Sequence, residues 1–163
     1  MTTLLTNDDL YLFNEGSHLR LYEHLGAHIA ESNGEKGVYF AVWAPNADKV
    51  WVMGDFNDWN PGDLEMSLRG DSGIWERFVP RVPQGSAYKF HIQSRLQGYE
   101  IDKSDPFAVH TETPPRNASK VWDISYEWGD AEWMGSRHTR NHVRAPVSIY
   151  ELHLGSWRRT GPD

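Results

Sequence analysis

Between Gly54 and Pro61 the chain reads Gly-Asp-Phe-Asn-Asp-Trp-Asn-Pro, a loop of turn-forming residues that nevertheless carries two aromatic rings. A loop does not need tryptophan to turn. Trp59 could instead offer a ligand a flat apolar face, because an aromatic side chain combines large contact area with few rotors. A pyranose ring fits such a face, with axial C–H groups for stacking and equatorial hydroxyls for hydrogen bonds. Asn57, Asp58 and Asn60 would supply the polar neighbours. The same loop also admits a structural reading, in which Phe56 tucks beneath a sheet and Trp59 covers its edge. Residue types alone leave both open.

Other constellations carry less. Glycoside chemistry of the retaining kind needs two carboxyl groups about 5 Å apart. Asp55, Asp58, Asp102 and Asp105 stand at turns, where side-chain to backbone hydrogen bonds account for them, so no catalytic residue is assigned. His18, His24 and His28, or His138 and His142 at helical i,i+4 spacing, have the right type to hold a metal. No cysteine and no second paired motif accompanies them, and neither a metal nor another cofactor is expected. The basic stretch from Arg137 to Arg144 lies between Trp133 and Pro146 and reads as a solvated linker rather than an anion site.

The elements that must position these residues are strands. Alternating runs from Val38 to Trp43 and from Val50 to Met53 flank Ala44-Pro45-Asn46-Ala47-Asp48, which predicts a β-hairpin. Ala27 to Glu31 reads as a strand turned by Ser32-Asn33-Gly34-Glu35-Lys36-Gly37 into Val38. Further strands are expected at Trp75 to Val79, Tyr88 to Gln93, Tyr99 to Ile101 and Lys120 to Ile124. Short strands at this spacing predict a mainly antiparallel β-sandwich, an all-β fold rather than a βαβ one. In Tyr88-Lys89-Phe90-His91-Ile92 the apolar residues share one face, so Lys89 and His91 point to the other, where the pattern alone makes them solvated. Asn7 to Leu25 reads as two short helical pieces, with Asn7 or Asp8 as cap and Gly26 as stop.

A chain of 163 residues can bury one proper core and a small appendage. It has no cysteine, which suits a reducing compartment, and no apolar run of about 18 residues. Asn7, Asp8 and Asp9 stand where a signal peptide would want apolar residues, so the expected location is the cytoplasm, with no membrane partner. A formal net charge of −7 opposes nucleic-acid phosphates and is compatible with a neutral polymer. Of eight tryptophans, Trp43, Trp51, Trp75 and Trp122 sit in strand-like runs and are expected to be core or half-buried. Trp128 and Trp133 read as anchors to a neighbouring domain.

The stretches FAVWAPNADKVWVMGDFNDWN, SGIWERFVP, GSAYKFHI, DPF and SIYELHLGSW, with the opening DLYLFNEGSHLRLYEHLGAH, resemble the amino-terminal part of bacterial 1,4-α-glucan (glycogen) branching enzymes. The resemblance spans nearly the whole chain. It implies a helical extension over residues 1–26, an immunoglobulin-like β-sandwich of carbohydrate-binding module family 48 over 27–125, a linker over 126–146, and over 147–163 the start of a truncated (β/α)8 catalytic barrel, whose first strand would be Ser148 to Trp157. Glycogen-binding members of the module, such as that of the AMP-activated kinase β subunit, build a sugar platform from residues that correspond to Trp59 and Lys89, and Tyr99 stands in the region of their second tryptophan. The implied partners are an α-glucan, glycogen or amylose, and the catalytic barrel of the parent chain. Branching transfers an α-1,4 chain to a 6-hydroxyl, and its carboxylates lie on later barrel strands, so the 163-residue chain is expected to be inactive. Two alternatives stay open: a purely structural sandwich that touches no sugar, and the module of a debranching or trehalose-forming enzyme.

Overall fold

Asn33 and Gly34, with φ of 52° and 80°, form the two-residue turn that joins β1 (Gly26–Ser32) to β2 (Glu35–Trp43), and Ser32 pairs with Glu35 across it. Both positions need the left-handed region, which is why an Asn-Gly pair stands there. A computed structural model describes residues 3–140 and 143–157 of the protein. The chain divides into two units, Met1–Ile124 and Ser125–Asp163.

The first unit is a β-sandwich. Its remaining strands are β3 (Ala47–Gly54), β4 (Ser67–Leu68), β5 (Ile74–Pro80), β6 (Ala87–Ser94), β7 (Glu100–Lys103) and β8 (Ser119–Lys120). One antiparallel sheet has the order β1-β2-β5-β4; the other has β3-β6-β7, with β8 also paired to β6. The hairpin expected between β2 and β3 does not form: β2 pairs with β1 and β5, whereas β3 pairs with β6. The Ala44 turn, closed by the Ala47 amide on the Ala44 carbonyl at 3.1 Å, carries the chain from one sheet to the other. Alternating residues serve either connection, because an arch also needs one apolar face on each strand. Here those faces are Val38, Phe40 and Val42 against Val50, Val52 and Phe90, all in the central core. Full burial of Phe40 and Phe90 contributes about 1.5–3 kcal/mol each relative to exposure.

β2 is buried on both faces, which explains its unbroken apolar run. Its outward residues Tyr39 and Ala41, with Ile74 of β5, are covered by Leu5 and Leu25 and flanked by Leu10, Phe13 and Leu21. These come from the helical opening: α1 (Asn7–Glu15) and a 3-10 turn, Leu21–Glu23. The cap of α1 is Thr6 rather than Asn7 or Asp8, because Thr6 and Asp9 form a reciprocal capping box, and the helix stops at Gly16 with φ 80°. Burial opposes ionisation of Asp9, yet the Thr6 and His18 hydrogen bonds and nearby His24 hold its carboxyl at about 2. Beneath this cover Glu76 is 4 % exposed and accepts from the Tyr39 hydroxyl and, at 2.7 Å, from Thr3 Oγ1.

Trp75 is in the core and Trp51 half-buried, as expected; Trp43 and Trp122 are exposed. Trp43 ends β2, where the sheet no longer covers it, and meets Phe13 edge-on at 5.8 Å.

In the second unit α2 (Ala131–Arg140) occupies part of the stretch read as a linker. Glu132 in its first turn and Arg137, His138 and Arg140 in its last complement the helix dipole, a helical signal inside a polar run. Of the strand expected from Ser148 to Trp157, residues 148–153 form no strand. Those residues lack a ladder partner among the described ones, and a short turn of helix, α3 (Leu154–Trp157), follows. Val147, Ile149 and Leu154 are exposed, as are Trp128 and Trp133. No described helix is long and apolar enough to cross a membrane.

Candidate functional site

Gly54 closes β3 against Tyr88 of β6 so tightly that a Cβ there would stand 2.2 Å from the Ala87 carbonyl oxygen. Only glycine lets the chain leave the sheet at this point. It then makes a 3-10 turn, Asp55–Asn57, and passes through Asp58 and Trp59, both left-handed with φ of 52° and 58°. For a bulky residue such as Trp59 that conformation costs about 1–3 kcal/mol and persists only where the surroundings impose it.

The surroundings are a dense hydrogen-bond set. Asn57 Oδ1 accepts the Gly54 amide and its Nδ2 donates to the Asn60 carbonyl, each at 2.8 Å. The Trp59 amide donates to the Gly54 carbonyl at 3.0 Å. Asp55 accepts twice, from the Trp59 indole N–H at 3.1 Å and from the Ala87 amide at 2.8 Å. Phe56 turns inward onto Phe40, with ring centroids 5.6 Å apart, while Trp59 stays 37 % exposed. Phe56 thus braces the loop from the core side, while the Trp59 ring remains partly open to solvent.

Lys89 follows Tyr88 on β6, pairs with Met53, and is half-buried on the outer face of its sheet. Trp59 and Lys89 thus belong to the same end of the sheet. Asn57 is there too, but as a brace of the loop. Tyr99 is not: it lies in the turn beyond Ser94, 60 % exposed, and five residues of strand from Lys89 to Ser94 span roughly 17 Å.

The outer face holds further groups that sequence reasoning left unassigned. Trp51 rests against His91 at 5.6 Å, with Lys49 Nζ 5.9 Å from the Trp51 ring centre. His91 Nδ1 meets Asp102 Oδ1 at 2.7 Å, and Gln93 donates to Glu100 at 2.9 Å. The outward register of β3 and β6, opposite to Val50, Val52 and Phe90, was the available signal. The face can stack and hydrogen-bond a polar, ring-shaped ligand.

Asp105, one of the carboxylates set aside above, is buried. It accepts from the Tyr88 hydroxyl at 2.5 Å and the Phe107 amide at 2.8 Å, while its own amide donates to Ser119. Burial raises its pKa, against the hydrogen bonds from Tyr88 and Phe107 and the influence of His28. Burial, then the charge and hydrogen bond of Asp105, raises that of Tyr88. The group ties the Asp-Pro-Phe turn to the sandwich.

Residues 24–108 match the sequence family described as carbohydrate-binding module 48, the isoamylase N-terminal domain. The chain is 51% identical over 158 residues to the 1,4-alpha-glucan branching enzyme GlgB of Aquifex aeolicus (strain VF5), covering 96% of this chain and 25% of that protein. It is also 51% identical over 155 residues to the enzyme of the same name from Albidiferax ferrireducens, covering 94% and 24%. The chain thus spans about a quarter of the length of these relatives. Among solved structures, apo pullulanase from Klebsiella pneumoniae aligns over 71% of this chain and 12% of its own, with TM-score 0.52 and 25% identity.

Proposed function

The chain belongs to the carbohydrate-binding module 48 family, and from that premise we propose that it is the glucan-binding and domain-positioning amino-terminal part of a cytoplasmic 1,4-α-glucan branching enzyme. The observation that carries the reading is Trp59, a bulky residue in a left-handed conformation whose ring stays exposed because Asp55 holds its indole N–H. Stacking on that ring, with Lys89 donating to hydroxyls from the adjoining strand, would orient an α-glucan chain. Asn57 keeps the loop in shape rather than touching the sugar, and Tyr99, in the turn past the far end of β6, is too distant to complete the same platform. The identity to two branching enzymes favours branching over debranching or trehalose formation in the parent protein.

Affinity electrophoresis in glycogen tests the reading. Stacking is worth on the order of 0.5–1.5 kcal/mol beyond area burial, so Trp59→Ala should weaken retardation about tenfold with little change in unfolding. A wild-type mobility indifferent to glycogen would overturn it and leave the structural alternative. That alternative has its own support in the hydrogen bonds that Asn57 and Asp55 already make within the loop and to β6.

A further inference from the structure

We propose that Asp9, His18 and His24 form a binding site for a divalent transition metal, of which Zn²⁺ is the reference case. The sequence offered His18, His24 and His28; the fold replaces the third with a carboxylate. His28 Nε2 is engaged with the Leu25 carbonyl at 3.0 Å, whereas one ligand atom each from Asp9, His18 and His24 falls within 4.8 Å of the others. Asp9 Oδ1 is 3.0 Å from His18 Nε2 and 3.5 Å from His24 Nε2. Ligand atoms around tetrahedral zinc, with bonds near 2.0–2.2 Å, are separated by roughly 3.3 Å.

The groups behind these ligands orient them as a metal requires. Asp9 Oδ2 is held by the Thr6 amide at 2.8 Å and the Thr6 hydroxyl at 2.7 Å, which leaves Oδ1 to face both imidazoles. His24 Nδ1 lies 3.0 Å from the Leu4 carbonyl, an acceptor only, so Nδ1 carries a proton and Nε2 is the nitrogen turned toward Asp9 Oδ1. His18 differs: the Arg20 amide donates to its Nδ1 at 3.2 Å, which puts its proton on Nε2 toward Asp9. A metal at Nε2 moves that proton to Nδ1 and gives up the Arg20 bond, so binding is accompanied by movement of the 17–20 segment. The three residues open on a cleft of about 390 Å³, also lined by Ser17 and Glu23, with room for a water or a fourth ligand. Imidazole nitrogens favour zinc, nickel, copper or cobalt over magnesium or calcium.

Titration calorimetry of the full chain, freed of metal with chelator, is expected to show one equivalent of Zn²⁺ and no comparable binding of Mg²⁺. Co²⁺ should give the intense visible bands of a four-coordinate site. His24→Asn, whose amide nitrogen takes the place of Nδ1 and can still donate to Leu4, should weaken Zn²⁺ binding by more than about a hundredfold, beyond the loss expected for an outer-shell partner. His18→Gln should do the same, with folding of both checked by circular dichroism in chelator, and His138→Gln should change nothing. Absence of stoichiometric binding to the wild type overturns the proposal, as does binding that survives both substitutions together or is lost with His138.

Discussion

The indole N–H of Trp59 donates to one oxygen of Asp55 while the other oxygen accepts the Ala87 amide, so a single carboxylate links the exposed ring to the first residue of β6. Asp55→Ala leaves two donors without their partner. It is expected to lower stability by about 1–3 kcal/mol and to release the ring from its fixed orientation. Urea unfolding reads the first effect and glycogen affinity electrophoresis the second. Unchanged retardation in a destabilised variant would mean that ring orientation is irrelevant to binding.

Lys89 lies near the start of β6 and Tyr99 in the turn beyond its far end, and their substitutions should separate cleanly. Lys89→Met keeps the stem and removes the ammonium group, which should cost about 1 kcal/mol of binding, roughly fivefold. Tyr99→Ala is expected to leave glycogen retardation within twofold of wild type, about 0.4 kcal/mol. The reverse ranking would move the sugar site to the β6–β7 turn.

Tyr39 and Tyr88 hold their protons past the ordinary tyrosine range, in each case first because of burial and then because of a partner carboxylate, Glu76 or Asp105. A folded-state pKa above the unfolded value stabilises the fold below about pH 10, and that contribution is lost as pH rises further. Absorbance at the phenolate band should therefore rise late and together with unfolding, and Tyr88→Phe should remove part of the late phase. Early, reversible ionisation of all the tyrosines in a folded chain would contradict the burial of both rings.

Gly54→Ala forces a Cβ to within 2.2 Å of the Ala87 oxygen, which backbone cannot yield without parting β3 from β6. A loss of more than about 3 kcal/mol is expected, against about 1–2 kcal/mol for Gly34→Ala, whose Cβ would meet nothing within 4 Å but whose φ of 80° disfavours alanine. Thermal denaturation of the two variants compares them directly.

Exposed Val147, Ile149, Leu152 and Leu154 form an apolar run without a strand to hold it. Removing the residues after Pro146 should reduce self-association in sedimentation velocity while leaving slow hydrogen exchange in Phe40 to Val52 and Tyr88 to Ile92. Increased association after the deletion would show that this segment shields the sandwich instead.

The strands were legible because alternation and turn residues are local signals. β1, β2, β3, β5 and β6 all lie where the pattern of Val, Phe and Tyr against polar residues puts them. What alternation does not carry is the identity of the neighbour, so the arch between β2 and β3 reads like a hairpin. β4 is two residues long and has no pattern to show. In the site, Trp59 stood out because a loop had no need of it, whereas Asn57 looked like a ligand until its amide met Gly54 and Asn60. The pairing of Asp9 with His18 and His24 depends on how the 17–24 segment folds back on α1, which no spacing rule encodes.

The match to the module family begins at residue 24, yet Leu5, Leu10, Phe13 and Thr3 precede it and seal the outer face of the β1-β2-β5-β4 sheet. An excision at the family boundary would therefore uncover Tyr39, Ala41 and Ile74 and deprive the buried Glu76 carboxylate of its threonine donor. The unit that recurs between proteins and the unit that folds are different lengths of chain here. Grafting the module onto another protein requires carrying its leading two dozen residues with it, or redesigning Tyr39, Ala41, Ile74 and Glu76 as a water-facing surface.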